Sequence, residues 1–195
     1  MSVQVLASEA RRLNRAAGAP ALPALFFLTD PARTPDPIAS AAKLPRGAAV
    51  IYRHFGAPER FEVAAALSRI CIKRGLFLLI SADPALARKV GAAGVHWPEA
   101  RARRRLGFEL ETMSAHSPAA LSRAFALGMD AALLSPVFAT RSASASGRSL
   151  GAARAGRWAR AARLPVIALG GVNMQTARAL RARGFAGLAA IEALA

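Results

Sequence analysis

The chain has 195 residues, enough for one domain with a sizeable core, and 54% of them are hydrophobic. Its formal charge is +16, from 27 Lys and Arg against 11 Asp and Glu. No run of 18 apolar residues escapes an Arg or a helix breaker, so no membrane-spanning helix is expected; the N-terminus mixes acid and base without the apolar centre of a secretion signal.

The single cysteine, Cys71, rules out an internal disulfide and fits a reducing, cytoplasmic setting; its helical surroundings read as those of a buried structural thiol. Only three of the basic residues are Lys (Lys43, Lys73 and Lys89). From Ala131 to Ile191 there are nine Arg and no acid, a field that attracts anions such as a phosphorylated metabolite. Arg154, Arg157, Arg160 and Arg163 recur every three residues, as on a solvated helix face, and the Arg are not interleaved with aromatics. Nucleic acid is therefore not the expected partner.

In chain order, residues 3–17 read as an Arg-rich amphipathic helix ended by Gly18 and Pro20. A first strand covers Leu25–Leu28. The prolines at 31, 35 and 37 leave room for one short helix over Ile38–Leu44. A second strand covers Ala48–Tyr52, a helix Glu59–Arg74 capped by Gly75, and a third strand Leu76–Ile80. Asp83-Pro84 opens a short helix to Val90, and Gly94–His96 is a fourth strand. The basic stretch Pro98–Leu106 reads as helix and Phe108–Met113 as a fifth strand. Ser117-Pro118, an N-cap followed by proline, begins a helix to Leu127. Ala131–Leu134 is a sixth strand, Val137–Ser149 a polar loop, and Leu150–Ala162 a helix. Pro165 opens a seventh strand that ends in Gly170-Gly171. Asn173 caps a helix to Arg183, and Gly187–Ile191 is an eighth strand.

Eight strands alternating with helices or loops predict a parallel sheet closed as a small (β/α)8 TIM barrel; an open doubly wound sheet is the alternative. The whole chain, 1–195, is one domain: residues 1–20 hold the N-terminal helix and 22–192 the barrel. Polar residues stand at the C-terminal ends of successive strands, among them Thr29, Arg53, Ser81, His96, Ser114 and Ser135. In a barrel those ends converge on one face, where the active site lies. The chain stops just after strand eight, without the usual final helix. Either the N-terminal helix or a partner subunit in a homo-oligomer is expected to cover that side. A glycine pair at a strand end lets backbone N–H groups approach a phosphate.

The segment PVIALGGVNMQTARALRARGFAGLAAI resembles the corresponding part of thiamine phosphate synthases and their relatives, the thiazole tautomerases. FFLTD, GVHWPEA, SAHS and SPVFATRS match in order on strands one, four, five and six. The resemblance implies a (β/α)8 barrel that joins a thiazole phosphate to a hydroxymethylpyrimidine diphosphate, releasing pyrophosphate with the help of Mg²⁺. It implies a phosphate cradle at Gly170, Gly171, Ala190 and Ile191, and a pyrophosphate loop with Thr140, Arg141 and Ser142. Ser114, His116 and Arg53 are the implied catalytic residues.

The departures are as specific as the matches. The synthase pattern Gln-x-Arg-x-Lys on the second strand reads Ile51-Tyr52-Arg53-His54-Phe55. Asn-Asp-Asp after the third strand reads Ser81-Ala82-Asp83, and Trp97-Pro98-Glu99 replaces a Gly-Gln followed by an acid. The Lys of the pyrophosphate loop is Ala143, with Arg141 and Arg148 nearby, and a small hydroxyl residue after Ile191 is Glu192. Asp83 is left as the one implied ligand of a depleted Mg²⁺ site, with Glu99 the nearest other acid, and Asp83 reads equally as a helix N-cap. Three functions follow from the resemblance. They are a synthase with a degenerate diphosphate and metal site, a tautomerase-like enzyme that uses His116 as acid and base, and a non-catalytic relative that binds a phosphorylated ligand.

Overall fold

The computed structural model describes residues 3–140 and 149–195. Eight parallel strands close into a barrel in strict sequence order: β1 (Leu25–Leu28), β2 (Ala49–Tyr52), β3 (Phe77–Ser81), β4 (Gly94–Trp97), β5 (Leu110–Ala115), β6 (Ala131–Leu134), β7 (Val166–Ala168) and β8 (Gly187–Ala190). Closure comes from β8 pairing with β1, Phe26 opposite Ala189. This is the TIM barrel, and the open sheet is excluded.

The short apolar runs form strands because both faces of each strand are covered. One cluster of buried side chains contains alternate strand residues (Phe27, Val50, Leu78, Val95) together with helical Leu67 and Leu121, and fills the layer between sheet and helices. A second contains the intervening residues (Phe26, Leu28, Ile51, Leu79, Leu133, Ile167) and no residue of the helices, and fills the barrel interior.

The helices are α1 (Val3–Ala16), α2 (Pro37–Ala42), α3 (Arg60–Arg74), α4 (Pro84–Lys89), α5 (Pro118–Ala126), α6 (Gly151–Ala161) and α7 (Met174–Ala177). Their starts obey the expected chemistry. The side chains of Asp36, Asp83 and Ser117 each accept a hydrogen bond from the third residue of their helix, with proline at the first position. Gly75 ends α3 in the left-handed conformation.

Helix α1 lies against β1 and β8. Leu6, Ala7, Ala10 and Leu13 are buried there, and Asn14 donates to the Ala186 carbonyl at 3.1 Å. Glu9 pairs side-on with Arg181, at 2.7 and 2.6 Å. That bond from Arg181, outweighing burial, holds the Glu9 carboxyl below its usual range.

Three expectations are corrected. Pro98–Leu106 is not a helix: only Glu99–Arg101 forms a single 3-10 turn. The cause is Glu111, wholly buried on β5. One of its oxygens accepts the Leu106 and Phe108 N–H groups (2.7 and 3.1 Å), and the other faces the Trp97 indole N–H (3.3 Å), so the loop is drawn across the barrel wall. Strand β5 starts two residues later than expected and runs to Ala115, which puts Ser114 inside the strand. The helix expected to reach Arg183 ends as α7 at Ala177, followed by a 3-10 turn over Arg178–Leu180. Arg181 then leaves the helical path to meet Glu9.

Candidate active site

At the C-terminal ends of the strands lies a cavity of about 820 Å³, large enough for two small ring systems with their phosphates. Arg53, Ser114, His116, Thr140, Gly170, Gly171, Ala190 and Ile191 all line it, so the strand-end logic brings these candidates together. Arg141 and Ser142, with the neighbouring Ala143 and Arg148, lie outside the described residues. Asp83 does not line the cavity.

The glycine turn is built by close approach. Gly170 and Gly171 have φ of +91° and +62°, and the segment after β6 crosses directly over them. A Cβ at Gly170 would lie 2.8 Å from Pro136 Cα, and one at Gly171 2.3 Å from the Ala139 carbonyl oxygen. Phe138 donates its N–H to Gly170 O (3.0 Å) and Val137 to Leu169 O (2.9 Å), which ties the loop after β6 to the loop after β7. The N–H groups of Gly170, Gly171 and Val172 meet no acceptor among the described residues. Beyond the turn, Asn173 and Thr176 form a reciprocal capping box. This arrangement leaves three successive backbone donors without a described acceptor in a turn that lines the cavity.

The cations come from the ends of β2 and β1. Arg53 follows β2, and its backbone N–H donates to Thr29 Oγ1 at 3.0 Å. Its guanidinium makes no hydrogen bond or ion pair among the described residues. Burial lowers its affinity for a proton, with Asp30 opposing and Arg33 adding to the effect, so this cation gains most from an incoming anion. Arg33, in the loop after β1, pairs with Asp30 at 2.7 Å and approaches Glu192 at 3.7 Å. The sequence reading missed Arg33, because it stands in a Pro-rich loop with no periodicity to mark it.

Two imidazoles take different settings. His116 is exposed at the cavity rim, and its Nδ1 meets Glu99 Oε2 at 2.7 Å. The same oxygen accepts the His116 backbone N–H at 3.1 Å. His96 on β4 is only 2% exposed; its Nδ1 bonds Thr112 Oγ1 and its Nε2 bonds Ser114 Oγ, both at 2.9 Å. Burial, helped by Arg53, pushes its pKa down to about 3.

Mg²⁺ does not fit the residues present. Asp83 Oδ1 accepts the Leu86 N–H at 2.9 Å, as an N-cap, and Oδ2 takes Arg60 at 2.5 Å. Ala82 beside it offers no side-chain oxygen, and Glu99 is engaged by His116. Mg²⁺ is held through one or two carboxylates together with substrate phosphates, and both candidate carboxylates are already engaged, Asp83 outside the cavity lining. Mg²⁺ requires near-octahedral oxygen ligands. Cys71 is buried, with its thiol pushed up to about 12 by desolvation, which leaves it chemically quiet.

A closed parallel barrel with a double-glycine turn after β7 and arginines after β1 and β2, all at the C-terminal ends of the strands, is a (β/α)8 protein with one partly cationic cavity at that face. The thiamine monophosphate synthase family matches residues 25–194, and the chain belongs to that family. A putative thiamine-phosphate synthase of Geobacter sulfurreducens is 34% identical over 139 residues, 68% of this chain and 65% of that one. The thiamine biosynthesis bifunctional protein ThiM/ThiE of Symbiobacterium thermophilum is 32% identical over 87% of this chain but only 37% of its own length. The chain thus spans under two thirds of each of these relatives. It covers 84% of a thiamine-phosphate synthase of Alcanivorax borkumensis, at 32% identity. The solved thiamine phosphate pyrophosphorylase of Pyrococcus furiosus shares the fold, with a TM-score of 0.72 at 23% identity over 86% of this chain and 84% of that one. No helix among the described residues is long and apolar enough to cross a membrane.

Proposed function

We propose that the cavity joins a thiazole phosphate to a hydroxymethylpyrimidine diphosphate, forming thiamine phosphate and releasing pyrophosphate, without a carboxylate-held metal. The observation that carries this reading is the pairing, across one cavity, of a glycine turn whose N–H groups meet no acceptor among the described residues with an Arg53 guanidinium that no described side chain hydrogen-bonds. In this reaction the bond from the pyrimidine methylene carbon to diphosphate oxygen breaks, and the electron pair leaves with pyrophosphate. The thiazole nitrogen then supplies the pair for the new C–N bond. The requirements are alignment of two rings and stabilisation of a departing anion. The Gly170–Val172 N–H groups hold the thiazole phosphate, Arg53 meets the diphosphate, and Ser114 offers its hydroxyl to the ring between them.

The experiment is to mix both substrates with the protein and detect thiamine phosphate by mass spectrometry, in parent and Arg53→Ala. Product from the parent and at least about 10-fold less from the variant supports the reading, from the worth of a charge-assisted hydrogen bond. Equal product from both refutes the role of Arg53.

A second reading is favoured by the Glu99–His116 contact, since a carboxylate on Nδ1 fixes the tautomer that leaves Nε2 as proton acceptor. That pair would move a proton on the thiazole ring with no metal and no second substrate. Deuterium exchange into thiazole phosphate alone, lost in His116→Ala, is its signature.

A further inference from the structure

Ser114 and His96 make a hydroxyl–imidazole pair, the arrangement that in hydrolases creates a nucleophile. The surroundings here argue for a different use. His96 sits on the inward face of the barrel wall, opposite Thr112 in the β4–β5 register, and Ser114 lies two residues on along the same face of β5. Both imidazole nitrogens are bonded to hydroxyls, so the ring can neither rotate nor accept a further partner. Among the described residues no carboxylate touches it; Thr112 and Ser114 bond it, and the charged group acting on it is the Arg53 guanidinium. A base that must become imidazolium beside an arginine, at 2% exposure, cannot take the Ser114 proton at neutral pH.

We infer that His96 is a positioning residue: the Thr112–His96–Ser114 chain of hydrogen bonds locks the Ser114 hydroxyl in one orientation toward the cavity, so that Ser114 acts as a fixed polar contact and not as a nucleophile. Neither nitrogen of a neutral ring bonded on both sides is idle. One donates and the other accepts, so the proton on the ring dictates which lone pairs of Ser114 face the ligand. The inference rests on the proposed ligand cavity, but the state of His96 can be read without any turnover.

The first test is ¹⁵N NMR of histidine-labelled protein. His96 should remain a single neutral tautomer between about pH 5 and 9, and Ser114→Ala should move its Nε2 resonance while leaving Nδ1 nearly unchanged. A His96 that titrates in this range, or one indifferent to Ser114→Ala, overturns the inference. The second test treats the protein with a fluorophosphonate probe and maps adducts by mass spectrometry. No adduct is expected at Ser114, and stoichiometric labelling there overturns the inference. The third compares two amides. His96→Gln keeps a polar atom near the Nε2 position and should preserve kcat for pyrophosphate release to within about 3-fold. His96→Asn reaches only the Nδ1 position and should lower kcat about 3–10-fold with KM unchanged, the worth of one neutral hydrogen bond. In a Ser114→Ala background the two amides should behave alike, and a persisting difference contradicts the mechanism. If the parent releases no pyrophosphate, the coupling reading fails, and the NMR and labelling results still decide the role of His96.

Discussion

Replacing Gly171 by alanine isolates the close approach on which the proposed anion cradle depends. Two costs are involved. A left-handed φ of +62° costs a non-glycine residue about 1–2 kcal/mol. The new Cβ would also stand 2.3 Å from the Ala139 carbonyl oxygen, 2.8 Å from Phe138 Cβ and 3.0 Å from the Phe138 carbonyl carbon. Two of these are main-chain atoms held by the Phe138–Gly170 hydrogen bond, so the loop after β6 must move as a piece; overpacking of this kind costs about 1–3 kcal/mol more. Gly56 supplies the control, since its φ is +70° and a Cβ there would meet nothing within 4 Å. Gly56→Ala should therefore lose only about 1–2 kcal/mol, a fall in Tm of roughly 2–8 °C, and Gly171→Ala about 2–5 kcal/mol, a fall of roughly 4–20 °C. Urea melts of the three proteins give the stability, and titration calorimetry with thiazole phosphate gives the affinity. Gly171→Ala should lose affinity at least about 10-fold, since the N–H groups proposed to hold the phosphate are those of the displaced turn, while Gly56→Ala keeps it. Equal stability of the two variants, or undiminished affinity in Gly171→Ala, would refute the argument that this turn exists to let backbone meet backbone beside an anion.

Glu111→Ala should cost about 2–4 kcal/mol in urea melts, because it strips the buried carboxylate from the Leu106 and Phe108 N–H groups and from the Trp97 indole; a loss under about 0.5 kcal/mol would show that the 102–109 loop is held by something else. For Asp83, burial raises the carboxyl pKa, but the Leu86 N–H and Arg60 together hold it below its ordinary 3.8. A lowered folded value stabilises the protein fully above about pH 4, and that contribution is lost as pH falls through the folded value. Asp83→Asn keeps an N-cap but no charge, so it should melt earlier than the parent at pH 7 and lose less stability between pH 5 and pH 3; parallel losses would contradict this. Glu99→Gln should reduce proton exchange on thiazole phosphate nearly as far as His116→Ala does, and full exchange in Glu99→Gln would separate the carboxylate from the imidazole's function.

Most of the fold was legible because β1, β2, β3 and β6 are short apolar runs with a polar residue at or just past their ends, and alternation with helices leaves few topologies. Arg53, Ser114, His116 and the glycine pair could be placed for the same reason: strand ends share one face. What the sequence concealed was partnership. The Ala- and Arg-rich stretch 98–106 has helical composition, and only the carboxylate of Glu111, buried on the next strand, makes it a loop. Asp83 carries the same local signal whether it caps a helix or binds a metal, and Arg60, twenty-three residues earlier, decides between them by claiming its second oxygen. His96 meets Thr112 and Ser114, 16 and 18 positions on, through the β4–β5 register, and Glu99 meets His116, 17 positions on, between the segments that follow those two strands.

In the proposed reaction the Arg53 guanidinium, and not a carboxylate-held metal, stabilises the departing diphosphate, while the N–H groups of Gly170–Val172 hold the thiazole phosphate. The most direct measurement is the rate of pyrophosphate release from hydroxymethylpyrimidine diphosphate and thiazole phosphate, with Mg²⁺ and with excess chelator, in the parent, Arg53→Ala and Asp83→Ala. The account predicts turnover that survives the chelator and Asp83→Ala and falls at least about 10-fold in Arg53→Ala. Turnover abolished by the chelator and by Asp83→Ala, with Arg53→Ala left active, would contradict it.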